Sequence, residues 1–131
     1  MGEVLHVTDS AGNAGAPGSR GSRELLASVP APVLRSFRER LLGPLAEYDR
    51  QNDSELLPTL RSFLACHGSW SACARTLYVH VNTVRYRIRR IEVLTGRDLS
   101  ALPDLVDFFL AVSQEEAAYA DGSAFARVTP A

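Results

Sequence analysis

Lysine is missing from this sequence: all 14 of its basic side chains are arginine. Together with the many alanines this points to a GC-rich genome, so the choice of arginine carries little functional weight and only its placement does. Cysteine is scarce as well. Cys66 and Cys73 are too few for a disulfide framework, and with His67 beside them no second Cys/His pair completes a metal site. Both read as small apolar side chains in or near a core. No apolar run approaches the roughly 18–20 residues needed to cross a membrane, and the first 30 residues lack a basic start followed by an apolar block. A cytoplasmic protein is the expectation.

Equipment for catalysis is also missing. There is no glycine-rich loop to cradle a phosphate and no nucleophile–base pair in a plausible setting. Asp104 and Asp107 share a helix turn as ordinary surface acids. No enzyme activity, cofactor or metal is expected.

What is there is an uneven distribution of charge. Residues 69–97 hold six arginines (Arg75, Arg85, Arg87, Arg89, Arg90 and Arg97) against one acid, Glu92. That is a local balance of +5, so with a total of −1 the rest of the chain sums to −6. A compact basic patch on an acidic body suits a polyanion, and the acidic remainder limits indiscriminate sticking.

Hydrophobic residues make up 46% of the 131, enough for one core of ordinary size. The stretch 1–24, with Gly12, Gly15, Gly18, Gly21 and Pro17, reads as a flexible leader or linker. Such a composition is also what remains when a larger protein is cut at a linker. From Leu25 to about residue 119 the periodicity is helical, and the tail 120–131 reads as frayed. A first helix is expected from Pro32 to Leu42, ended by Gly43-Pro44, with a short helical turn through Leu45 and Tyr48. A second runs to Cys66 from an N-cap at Asp53 or Ser54, with Leu56, Leu57, Leu60, Phe63 and Leu64 on one face. A third spans Ser69 to Leu77, with Trp70, Cys73, Ala74 and Leu77 inward. Tyr78, Val79 and His80 make a turn, and a fourth helix runs from Val81 to Leu94 before Gly96. A last helix starts near Pro103. The fold class is all-α: a small helical bundle containing a helix-turn-helix over about residues 69–95.

Projected at 100° per residue, the fourth helix turns Val84, Ile88, Ile91 and Thr95 to the core. Asn82, Thr83, Tyr86, Arg89 and Arg90 point away, with Arg85 and Arg87 on the flanks. The use of this pattern is groove reading. Asn82 and Thr83 stand in the first turn, where recognition helices meet base edges. Asn82 suits adenine, and Arg89 or Arg90 suits guanine. Arg85 and Arg87 suit phosphates on the two walls. Tyr86 is a further contact, and His80 is a cap for the helix or a phosphate ligand near its positive end.

These residues carry a resemblance. The segment Val79-His80-Val81-Asn82-Thr83-Val84-Arg85-Tyr86-Arg87, followed by Leu94-Thr95-Gly96 and preceded by Leu42-Gly43-Pro44-Leu45, resembles the C-terminal helix-turn-helix domain of the PucR/CdaR family of bacterial regulators. The resemblance covers about residues 33–113. It implies a transcription factor whose DNA-binding domain lies behind sensory domains for small metabolites. Nothing here is long enough to be such a sensor, so ligand response is not carried over, and any effector is expected to bind outside this chain. The partner expected is double-stranded DNA, bound as a homodimer. Phe108, Phe109, Leu105, Leu110 and Val112 on the last helix spread wider than one core stripe, so part of this set is the candidate dimer surface. The alternative reading is a helical interaction module that modulates another regulator without touching DNA.

Overall fold

The computed structural model describes residues 20–120, with side chains over 21–114. The leader over residues 1–19 and the tail from 121 onward lie outside the described residues. Residues 20–24, read with the leader, form the first part of a helix, α1, Arg20–Ala27. It closes on Ser28, whose hydroxyl donates to the Leu25 carbonyl at 2.7 Å. Five further helices follow: α2 (Ala31–Asn52), α3 (Leu56–Ala65), α4 (Trp70–Leu77), α5 (Val81–Thr95) and α6 (Leu102–Ala120). Among the described residues there is no strand, and the all-α class is observed.

The expected break at Gly43-Pro44 does not occur: α2 runs through it for 22 residues. A proline here removes one helical hydrogen bond and crowds the preceding turn, at a cost of about 3 kcal/mol. On either side of it Leu41, Leu42 and Leu45 are buried, each contributing about 1.5–3 kcal/mol. Packing therefore outweighs local propensity, and Pro44 itself faces solvent.

The start of α3 departs from expectation too. Neither Asp53 nor Ser54 caps it. The Asp49 carboxylate, from the last turn of α2, accepts from the backbone N–H groups of Leu56 (2.8 Å) and Leu57 (2.9 Å) and from the Ser54 hydroxyl. One side chain thus satisfies two orphan donors and joins α2 to α3. Pro58 sits in the first turn of α3, where its missing N–H is not needed.

The core collects the faces read from periodicity. Leu56, Leu57, Leu60 and Phe63 of α3, Cys73 and Ala74 of α4, and Val84, Ile88 and Ile91 of α5 are all buried. Phe108, Ala111 and Val112 of α6 join them. Trp70 is half-buried, its ring tilted 59° against Phe63 at 5.3 Å between centroids. On the other side of α6, Leu102, Val106 and Phe109 are exposed at i, i+4 and i+7.

Candidate nucleic-acid interface

Helices α4 and α5 are joined by a tight turn over residues 78–80. Ser69 caps α4, its hydroxyl accepting from the Ala72 N–H at 3.1 Å. Tyr78 ends it in the left-handed region at φ 59°. Its N–H donates to the Arg75 carbonyl and that of Val79 to Ala74 (3.2 and 3.0 Å), the paired bonds of a Schellman stop. Val79 then packs against the core. His80 caps α5, its Nδ1 accepting from the Asn82 N–H at 3.0 Å, which leaves Nε2 as the protonated nitrogen of the neutral ring.

Along α5 the structure brings together Asn82, Arg85, Tyr86 and Arg89 on one exposed stripe. Val93 lies on the same stripe at 68% exposed; an apolar side chain among polar ones carries no sequence signal of a contact. Thr83 is half-buried beside this stripe. Arg85 lies over the Trp70 ring at 5.4 Å, so α4 steadies a cation of α5. Arg89 has no hydrogen bond or ion pair among the described residues. Glu92, the one acid of the segment, turns away: its Oε2 accepts from the Leu99 N–H at 2.9 Å and pins the loop after Gly96.

Three of the arginines have other occupations. Arg87 reaches α3, where its Nη1 donates to the Thr59 hydroxyl at 3.0 Å and faces the Glu55 carboxylate at 3.8 Å. Arg97 donates to Asp104 (2.9 Å) and Asp107 (2.8 Å), so these acids are its counter-ions and its charge is matched within the fold. Arg90 is half-buried against two tyrosines. It donates to the Tyr86 hydroxyl at 3.1 Å and lies over the rings of Tyr86 and Tyr48. The hydrogen bond from Arg90, and then its charge, hold the Tyr86 hydroxyl below the usual phenol pKa. Tyr48 was not read as a site residue. It lies 42 positions before Arg90 on another helix, and no spacing pattern links the two.

Among the described residues no cluster of His, Cys, Asp or Glu is arranged to hold a metal, and no helix is long and apolar enough to cross a membrane. Cys73 is buried, and desolvation pushes its thiol pKa up.

Comparison with known proteins agrees with this geometry. The PucR C-terminal helix-turn-helix domain matches residues 56–113. An uncharacterized protein of Mycobacterium tuberculosis is 41% identical over 92 residues, covering 67% of this chain and 21% of the relative. The purine catabolism regulatory protein of Bacillus subtilis is 43% identical over 76 residues, covering 58% and 14%. The transcriptional activator PmfR of Paenarthrobacter nicotinovorans is 37% identical over 90 residues, covering 63% and 19%. The chain spans about a fifth or less of the length of these three relatives. From α3 into α6, with the turn at Tyr78 and the stripe on α5 at its centre, this protein carries a helix-turn-helix domain of the PucR C-terminal family.

Proposed function

We propose that the protein binds double-stranded DNA sequence-specifically through α5, as the DNA-binding part of a cytoplasmic transcriptional regulator without catalytic activity. One observation carries the reading: Asn82, Arg85, Tyr86 and Arg89 share an exposed stripe while the segment's only acid is engaged elsewhere. Asn82 and Thr83 meet base edges near the helix start, Arg89 supplies a free fork for guanine, and Arg85 meets a phosphate. His80 orients the first turn. The regulator role of the Bacillus and Paenarthrobacter relatives supports the same reading.

One reading helix covers only a few base pairs, so specificity calls for two copies on half-sites one or more helical turns apart. Of the α6 residues expected at a dimer surface, Phe108 and Val112 lie in the core, so pairing falls to the exposed Phe109 together with Leu102 and Val106. The test is selection of duplexes from a random pool, followed by footprinting and binding at several salt concentrations. The expected result is a two-part site and a steep salt dependence. A flat salt response removes the electrostatic basis of the reading, and a single unsymmetrical site occupied by one protomer removes the dimer.

The same stripe on α6 favours the second reading, a module that pairs with another regulator without contacting DNA. It predicts that changes at Asn82 and Arg85 leave all duplex binding unaltered.

A further inference from the structure

Arg90 is held by aromatic neighbours rather than by an acid. Its guanidinium carbon lies 5.7 Å from the centroid of the Tyr48 ring and 5.6 Å from that of Tyr86, within cation–π range of both. Its Nη2 donates to the Tyr86 hydroxyl at 3.1 Å. An arginine on a solvated helix face samples many rotamers; one placed against two rings and a hydroxyl samples few.

The direction of the hydrogen bond decides what this cluster offers outward. Arginine has donors only, so the Tyr86 oxygen is the acceptor and its own hydrogen is left for another group. The Tyr48 hydroxyl is the other group of the fold beside it, and Tyr86 is 57% exposed, so the pair of hydroxyls faces groups from outside the fold. The neighbouring positive charge makes the hydroxyl a stronger donor, consistent with its lowered pKa. Two adjacent donors, one charged, match the oxygens of an anion. One of the two hydrogens of Nη2 is engaged, which removes one of the two forked edges that Arg90 offers to the two acceptors of a guanine. A phosphate oxygen asks for no such fork.

We propose that Tyr48, on α2 and outside the helix-turn-helix, is a positioning residue that holds Arg90 and Tyr86 as one donor unit for a backbone phosphate of bound DNA. This rests on the DNA-binding reading above. It makes α2 part of the interface, and it leaves Arg89 as the arginine for base reading.

The test uses the full chain and two probes, a random-sequence duplex and one selected from a random pool, with thermal unfolding followed alongside. Tyr48→Phe keeps the ring and is expected to bind like the unaltered protein. Tyr48→Leu is expected to lose about 3–10-fold on both probes, with a shallower salt dependence. In the Arg90→Ala background Tyr48→Leu should cost nothing further, because Tyr48 acts through Arg90. Tyr86→Phe, which leaves Tyr48 in place, should lose a similar factor on both probes, and it carries the test if Tyr48→Leu fails to fold. Full binding by Tyr48→Leu and Tyr86→Phe, or additive losses with Arg90→Ala, overturns the positioning role while the DNA reading stands. An unaltered protein that binds neither probe overturns both.

Discussion

Arg87 on α5 donates to the hydroxyl of Thr59 on α3 at 3.0 Å, and Thr59 is fully buried. The Thr59 hydroxyl donates in turn to the Glu55 carbonyl at 2.7 Å, so the guanidinium completes its hydrogen bonding. An arginine in the middle of α5 therefore fastens that helix to the core. Arg87→Ala should cost about 1.5–3 kcal/mol of stability, the range for a hydrogen bond to a charged group, measured by urea unfolding. The salt dependence of the folded variant on a random duplex should match that of the unaltered protein. A slope reduced by one contact would show that Arg87 grips phosphate after all.

With Arg87 and Arg97 paired within the fold, Arg85, Arg89 and Arg90 remain on α5 for a random duplex, where Arg89 has no selected guanine to fork onto and turns to phosphate. Three contacts correspond to a slope of log K against log salt of roughly −3 per protomer, where four to six contacts would give roughly −4 to −5. Titration of a random duplex between low and physiological salt measures it directly.

Reading and positioning separate between Asn82 and Arg85. Asn82→Ala should lose discrimination at one or two base positions, by about 1–3 kcal/mol, with random-duplex binding nearly intact. Arg85→Ala should weaken binding to both kinds of duplex about equally. Equal, uniform losses from both variants would mean that α5 enters the groove in another orientation. Ile88→Ala is the control. It is buried and should cost about 2–5 kcal/mol, reducing DNA binding only through unfolding.

Asp49 caps a helix to which it does not belong. Asp49→Ala frees two backbone N–H groups at the start of α3, and a loss of about 1–2 kcal/mol is expected. The exposed stripe of α5 should be unaffected, so DNA binding per folded molecule should not change. A variant as stable as the unaltered chain in urea would refute the capping role.

The pKa of Tyr86 is lowered, first by the hydrogen bond from Arg90. Between this lowered value and the ordinary phenol value of about 10, the folded protein has released a proton that the unfolded chain keeps. Raising the pH through that window therefore favours the folded state, slightly, because the group is exposed. Loss of the hydroxyl hydrogen should meanwhile weaken DNA binding over the same window. Phenolate absorbance, assigned to Tyr86 by difference against Tyr86→Phe, should move to higher pH in Arg90→Ala. An unchanged titration would show that Arg90 is not the cause.

Much of this was legible along the chain. Val84, Ile88 and Ile91 repeat at helical spacing, and the period alone turns them to the core and Asn82, Tyr86 and Arg89 away from it. Ser69, His80 and Gly96 mark the ends of α4 and α5 because capping is local chemistry, settled by neighbours a few bonds away. The sequence by itself therefore determined the all-helical class, the helix-turn-helix and the outward stripe. Tertiary structure alone decided which arginines are free. A helical period sets where a side chain leaves the backbone, and an arginine is long enough to end on another element. Arg87 ends on Thr59, Arg97 on Asp104 and Asp107, and Arg90 against Tyr48, partners that only the packing of distant segments brings within reach. The continuation of α2 through Pro44 was decided the same way. The local cost of the proline is readable from the sequence, but the burial of Leu41, Leu42 and Leu45 that outweighs it exists only once the other helices are in place.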